Sequence, residues 1–337
     1  MNSAFTQSLP NLADYRRELS DSGATVPLPR VPFSPAGLLG ILPAPPAARR
    51  GWPWDVQTEP FAAATERWPL ISVVTPSYMQ GEFLEETIRS VLLQNYPNLE
   101  YVVMDGGSTD ASPSIIEKYR PWLSFARIAR DRGQGHAINL GFSLASPEGL
   151  RGWLNSDDFY LPNCFRGVAE EAKKGGDIFY GDGLLLTQAS GQIQYELANF
   201  ASARYVKYAG LVKSHATFWT ARNHQPIWEE QYCSIDYELW IRMLPGARAR
   251  YIPWPLGLVR HHGGAKTFSA AAKKRWEEDA VRNGLAHPEL YRGRPWLDLE
   301  HRAVQRVARW WRGRGAAARA DAVRIQCRWQ APILPEC

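Results

Sequence analysis

One stretch constrains this chain more than any other: Trp153-Leu154-Asn155-Ser156-Asp157-Asp158. An apolar run leads into two adjacent carboxylates, which then meet Phe159, Tyr160 and Pro162. A buried strand that ends in paired acids brings hard oxygen ligands to the carboxyl edge of a sheet. Sites for Mg²⁺ or Mn²⁺ and a phosphate are commonly built this way. The competing reading is an ordinary turn or helix N-cap, because Asn, Ser and Asp all favour turns.

The upstream pattern favours the first reading. Residues 70–75 form a short, continuously apolar run, as expected of a parallel strand buried on both faces. Pro76-Ser77-Tyr78 ends it. Leu84, Ile88, Val91 and Leu92 then recur at helical spacing. A second strand over 99–104 runs into Asp105-Gly106-Gly107-Ser108-Thr109-Asp110, followed by a helix over 114–119. Strand and helix alternate, and each strand ends in a polar loop. This is the sequence form of the first half of a doubly wound nucleotide-binding sheet. No GxGxxG follows either strand and no P-loop pattern is present, so a dinucleotide dehydrogenase or other Rossmann enzyme is disfavoured.

Further on, Asp131-Arg132-Gly133-Gln134-Gly135-His136 opens another helix, its glycines allowing close backbone approach. Strands of a second half are expected at 177–182, 195–197 and 215–219. A helix over 234–244 brings Asp236 to its first turn, where the helix dipole favours a carboxylate. A plain N-cap is the alternative for Asp236.

Residues 1–68 hold ten of the 25 prolines and read as a leader of extended or loosely packed backbone. Trp52 and Trp54 argue that part of it packs on the domain. Four scattered cysteines (Cys164, Cys233, Cys327, Cys337) form no CxxC pair, which implies a reducing compartment without disulfides or zinc. Residues 1–9 lack the pattern of a signal peptide, and no apolar run is long enough to span a membrane. A cytoplasmic location follows as the expectation. Positive charge concentrates at 291–337, with ten Arg against four acids, which leaves the remainder near neutrality. That is not the diffuse basic surface of a nucleic-acid binder.

Val-Val-Thr-Pro-Ser-Tyr at 73–78 and Val-Val-Met-Asp-Gly-Gly-Ser-Thr-Asp at 102–110 resemble the start of family 2 glycosyltransferases of the inverting GT-A type. Gly-Gln-Gly-His-Ala-Ile-Asn-Leu-Gly at 133–141, the Trp153–Asp158 stretch and Asp-Tyr-Glu-Leu-Trp-Ile-Arg at 236–242 are similar to the same family in order and spacing. The resemblance covers roughly residues 70–267. It implies an α/β fold with a doubly wound mixed sheet and flanking helices. The expected divisions are a Pro-rich extension at 1–68, a catalytic domain at 69–270 with halves meeting near 160, and a basic helical extension at 271–337.

The resemblance also implies roles. Pro76, Ser77 and Tyr78 would line the pocket for base and ribose, and Asp105 with Gly106 would meet the base. Asp131 and Gln134 would line the sugar and diphosphate. Asn155-Ser156-Asp157 stands at the DxD position, with Asn in place of the first acid. Asp157 is the expected ligand of Mn²⁺ or Mg²⁺, with Asp158 beside it and His262 of the segment 260–267 a second candidate. Asp236 stands at the catalytic base, although Ile235 replaces the Glu that the family places before it. The implied partners are a nucleotide-diphosphate sugar donor and a glycan or lipid-linked hydroxyl acceptor. The aromatic and polar residues at 215–219 and 223–232 suit sugar stacking. A non-catalytic protein on the same fold is the remaining rival, and the joint presence of Asp157, Asp158 and Asp236 argues against it.

In the C-terminal extension, Val304, Val307, Ala308 and Trp311 share one helical face, accompanied by Arg302, Arg306, Arg309 and Arg312. A basic amphipathic helix of this kind suits peripheral attachment to an anionic membrane, with docking on the catalytic domain as the alternative.

Overall fold

The computed structural model describes residues 7–20, 22–61, 68–266, 272–291 and 295–334. Helix α1 (Leu12–Glu18) precedes β1 (Ile71–Ser77), α2 (Leu84–Leu92), β2 (Leu99–Asp105), α3 (Ser112–Tyr119), β3 (Phe125–Ile128), α4 (Gln134–Leu144) and β4 (Leu150–Trp153). Next come β5 (Phe159–Tyr160), α5 (Cys164–Lys173), β6 (Ile178–Thr187), β7 (Gln192–Glu196), β8 (Thr217–Thr220), α6 (Ile235–Met243) and β9 (Ala249–His261). The chain ends in α7 (Ala272–Ala286), α8 (Pro288–Tyr291), α9 (Pro295–Gly313), α10 (Ala316–Cys327) and β10 (Ile333–Leu334).

One mixed sheet carries the fold. Its principal strand order is β10-β7-β6-β8-β4-β1-β2-β3, with β9 pairing β5 and β6. The segment β4-β1-β2-β3 is wholly parallel, and β8 runs antiparallel to both β4 and β6. Every residue of β1 and β2 is buried, which explains why their sequences are continuously apolar rather than alternating. Val73 and Tyr101 face one core with Leu84, Ile88 and Phe165, while Val74 and Val102 face the other with Ile138, Phe142 and Trp240. Each such large side chain contributes about 1.5–3 kcal/mol on burial. Helix α4 approaches β1 closely at Gly141, where a Cβ would stand 2.5 Å from Val74 Cγ1.

Trp52 and Trp54 pack on the domain as expected, and the leader is packed more extensively than a loose backbone would be. Val31, Leu38, Leu42, Trp52 and Trp54 are buried, and Trp52 donates its indole N–H to the Tyr160 carbonyl at 2.8 Å. Arg89 of α2, fully buried, donates to the carbonyls of Pro43, Pro53 and Trp54 at 2.8–2.9 Å and to the Tyr119 hydroxyl at 3.0 Å. Proline removes the helix and strand signal, yet these carbonyls still need donors. One guanidinium supplies them.

Cys164, Cys233 and Cys327 are buried free thiols. Cys337, and part of the 260–267 segment at Thr267, lie outside the described residues. Among the described residues, no helix is long and apolar enough to cross a membrane.

Arg89→Leu would leave buried carbonyls without donors and is expected to cost about 3 kcal/mol. Chemical denaturation should show a lowered midpoint, and limited proteolysis should open cleavage within 43–55. An unchanged midpoint and cleavage pattern would refute this account of the segment.

Candidate active site

Because β1, β2 and β4 run parallel, Tyr78, Asp105-Gly106 and residues 155–158 all emerge at one carboxyl edge. Ser77 lies opposite Asp105 in the register, and the Gly106 amide donates to the Ser77 carbonyl at 2.8 Å. A Cβ on Gly106 would stand 3.1 Å from Asp131 Oδ2 and 3.2 Å from Tyr78 Cδ2. Tyr78, Gly106 and Asp131 therefore line one recess, with the Tyr78 ring exposed. Met79 is held at a positive φ of 54° by its amide, which donates to Ser108 Oγ at 2.7 Å. Pro76 and Ser77 are buried at the strand end, and the Ser77 hydroxyl has no partner among the described residues.

Asp105 is largely engaged by its own loop. Its Oδ1 accepts from the amides of Gly107 and Ser108, and its Oδ2 from the Ser108 hydroxyl, at 2.7–3.1 Å. Lone-pair capacity remains on Oδ2 for a ligand. Burial holds the Asp131 carboxyl above its ordinary range; the Gly133 amide, His136 and Arg127 oppose this and Asp105 reinforces it.

A continuous set of polar contacts crosses the edge. Gln134 Nε2 donates to Asn155 Oδ1 at 2.8 Å, and Asn155 Nδ2 donates to Asp158 Oδ2 at 3.2 Å. Lys266 Nζ donates to Gln134 Oε1 at 2.8 Å and lies 4.1 Å above the Tyr232 ring. Burial pulls the Lys266 ammonium down to about 8, with Cys233, Asp279 and Asp236 acting in the opposite sense.

The adjacent acids have different environments. Asp158 is buried; its Oδ1 accepts the Arg260 amide at 3.0 Å, and burial followed by the Asp157 charge drives its pKa well upward. Asp157 turns outward and meets His262 Nε2 at 3.1 Å, with the imidazole against Phe83. Ser156 is buried and offers its carbonyl to Thr87. Arg260 braces the turn by donating to the Asp157 carbonyl at 3.0 Å and to Glu86 at 2.7 Å.

Asp236 sits in the first turn of α6, two residues past the capping position at Ser234, so it is no N-cap. Its Oδ1 accepts the adjacent Tyr237 amide at 2.8 Å. Burial lifts its carboxyl to about 6; the Tyr237 amide, its own backbone and Lys266 offset this in part.

The expected acceptor region divides. His215, Phe218, Trp219 and Trp228 are core residues, whereas Tyr232 is exposed. Sequence reasoning included Arg260 and Lys266 in the segment 260–267 but assigned neither a role of its own. The signal lay in the spacing of Arg260-His261-His262-Gly263-Gly264-Ala265-Lys266, where glycines allow a basic segment to fold back over the edge.

The donor set was tested for a divalent ion. Among the described residues, no group of three or more His, Cys, Asp and Glu could hold a metal. Asp157 and His262 offer one carboxylate oxygen and one imidazole nitrogen. An ion of the Mg²⁺ type that keeps waters and takes substrate phosphates needs only one or two protein carboxylates, so the pair fits that usage and not a closed structural site.

In open α/β sheets ligands bind outside the carboxyl ends of parallel strands, the edge at which this chain gathers acids, amides and glycines. Residues 72–222 match the family model described as Glycosyl transferase family 2. The glycosyltransferase GlyG of Streptococcus pneumoniae serotype 4 is 32% identical over 117 residues, covering 34% of this chain and 38% of that protein. The putative teichuronic acid biosynthesis glycosyltransferase TuaG of Bacillus subtilis strain 168 is 43% identical over 92 residues, covering 27% of this chain and 36% of that protein. The chain thus spans well under two thirds of either relative. In fold, S. aureus TarS 1-349 in complex with UDP-GlcNAc is similar at a TM-score of 0.50 and 17% identity, covering 64% of this chain and 66% of that chain. This protein has the GT-A type of α/β fold, and its residues 72–222 are similar to the family 2 glycosyltransferase domain.

The lifted carboxyl of Asp236 carries a stability consequence. The native state holds the proton up to about pH 6, whereas the unfolded chain releases it near 3.8, so ionisation opposes folding as pH rises between them. Asp236→Asn is expected to stabilise the protein by about 3 kcal/mol at pH 7. The gain should vanish below about pH 4. Denaturation midpoints of both proteins at the two pH values check this; equal midpoints at pH 7 would overturn it.

Proposed function

We propose that this protein is an inverting glycosyltransferase acting on a nucleotide-diphosphate sugar, UDP-linked by default. The acceptor is a hydroxyl of a glycan or lipid-linked chain in cell-surface or exopolysaccharide assembly, reached from the cytoplasmic face of the membrane. The observation that carries the reading is the edge itself. From Asp158, beside the outward Asp157–His262 pair, hydrogen bonds run through Asn155 and Gln134 to Lys266, whose charge acts on the lifted carboxyl of Asp236. The family 2 domain, the relative named for teichuronic acid biosynthesis and the fold neighbour with UDP-GlcNAc support it.

In this reading Pro76, Ser77 and Tyr78 enclose base and ribose, and Asp105 with Gly106 meets the base. Asp131, Gln134 and Asn155 hold the sugar and diphosphate side, with Ser156 and Asp158 fixing the turn. Asp157 and His262 hold Mn²⁺ or Mg²⁺, which when bound neutralises charge developing on the departing diphosphate. The Lys266 ammonium adds a second positive charge at the same edge. Asp236, as carboxylate, takes the proton of the acceptor hydroxyl. The acceptor oxygen bonds to the anomeric carbon as the bond from that carbon to the diphosphate oxygen breaks. The sugar is inverted and the proton ends on Asp236.

Asp236→Asn is expected to bind nucleotide normally and to lose turnover by a factor on the order of 10² or more. The wild-type rate should rise as pH passes about 6. Near-normal kcat in the variant, or a retained anomeric configuration, would refute single-base displacement.

Asp157→Ala is expected to abolish Mn²⁺-dependent binding of the sugar nucleotide while the fold survives. A thermal-shift panel of UDP, GDP, dTDP and CMP sugars with Mn²⁺ reads both the donor and the loss, since a ligand of the native state raises Tm. Full Mn²⁺-dependent turnover in Asp157→Ala would overturn the metal assignment.

A further inference from the structure

Helix α9 packs inward through polar residues and faces outward with apolar ones. On its inner side, His301 stacks on Tyr208 at 3.7 Å. The Gln305 amide brackets Phe200, accepting from its N–H at 2.9 Å and donating to its carbonyl at 3.1 Å. Arg312, buried, donates to the Ala198 carbonyl at 2.6 Å and the Tyr180 hydroxyl at 3.1 Å, and lies 3.8 Å over the Tyr251 ring. These bonds fix the helix's rotation about its axis. Two features of the sequence reading are thereby corrected. Arg312 is not solvated, and the face through Val304 and Ala308 turns towards the domain.

The outward face is what the anchoring exposes. Trp296, Leu299, Val307, Trp310 and Trp311 are 57–66% exposed, and Ala303 between them is exposed too. At 3.6 residues per turn these six positions fall within an arc of about 120° along the helix. Monomeric soluble proteins rarely show so large a contiguous apolar patch without a partner for it.

Charge selects the partner. Arg302, Arg306 and Arg309 are exposed along one flank of the arc, and Arg314 lies 3.9 Å over the Trp310 ring. The acids of this helix are engaged by the domain. Asp298 meets Lys207 at 3.0 Å and Tyr208, and Glu300 meets Arg204 at 2.6–2.7 Å and Tyr205 at 2.7 Å. What faces outward is an indole-rich apolar stripe with a cationic border. Indoles favour the membrane–water interface, and arginines favour anionic headgroups.

We propose that the outward face of α9 docks this protein on an anionic lipid bilayer, the helix lying in the plane of the interface. The inference deepens the reading of a membrane-proximal acceptor and rests on it only for its biological purpose. The anchoring through His301, Gln305 and Arg312 makes the attachment rigid, so the catalytic edge keeps a fixed orientation to the lipid.

Flotation of the full chain with vesicles of equimolar phosphatidylcholine and phosphatidylglycerol tests it. The protein is expected to float with these vesicles at low salt and not with phosphatidylcholine alone. W310E/W311E should lower the bound fraction roughly tenfold or more, and R302E/R306E should weaken binding and flatten its salt dependence. Circular dichroism and Tm of both variants are expected to match the wild type, because all four side chains are exposed. No flotation of the wild type, or flotation indifferent to W310E/W311E, overturns the proposal. A concentration-dependent dimer that W310E/W311E dissolves, in place of vesicle binding, overturns it in favour of a second copy. Hydrolysis of the sugar nucleotide by the same preparations reads glycosyl transfer separately, so either reading can fail while the other stands.

Discussion

The contact on which the site depends is the stacking of Trp153 on Trp240, ring centres 6.0 Å apart and planes within 2° of parallel. Trp219 meets both rings edge-on at 5.8 and 5.6 Å. Trp153 is the last residue of β4, two positions before Asn155, and Trp240 lies one helical turn beyond Asp236 on α6. Three fully buried indoles thus join the strand that leads into Asp157 and Asp158 to the helix that carries Asp236. Close-packed interiors barely compress, and such aromatic contacts contribute about 0.5–1.5 kcal/mol beyond the area they bury. The spacing between Asp157 and Asp236 is therefore set by packing behind the site.

Environment then divides labour among groups of similar chemistry. Asp158 is held in the interior by an amide and an Asn, where it shapes the turn; Asp157, one residue earlier, faces outward with His262. Asp236 is lifted to about 6 and Lys266 lowered to about 8. Between those values the carboxylate is ionised while the ammonium stays charged, so one edge holds an anion and a cation at the same pH.

The parts of this arrangement that were legible in the sequence are those set by periodicity. Buried parallel strands read as unbroken apolar runs, so β1 and β2 were located nearly to the residue, and the loops after them followed. The helix over 234–244 was legible for the same reason. The face of α9 was not, because periodicity reports that a stripe exists and not which stripe finds a partner. There Gln305 and Arg312 satisfied the backbone of Ala198 and Phe200, and that requirement outweighed the burial of Trp310 and Trp311. Trp52 and Trp54 signalled that the Pro-rich segment packs, but not how its carbonyls are satisfied: the donor for those of Pro43, Pro53 and Trp54, Arg89, lies on a helix further along the chain.

That N-terminal segment also reaches the site. Helix α1 lies beside α4, where the Tyr15 hydroxyl bonds Glu229 and Glu18 meets both His136 and Arg132 at 3.2–3.3 Å. Arg132, which also bonds Glu229 at 3.2 Å, stands between Asp131 and the glycine that precedes Gln134. The part-exposed Arg132 pairs contribute about 0–1 kcal/mol each, too little to matter for global stability. Their effect is positional. The contacts from Glu18 hold Arg132 and His136 on either side of Gly133-Gln134, and Gln134 is the link between Lys266 and Asn155. A segment whose composition reads as a leader therefore braces the loop that precedes Gln134, from residues well before the first strand.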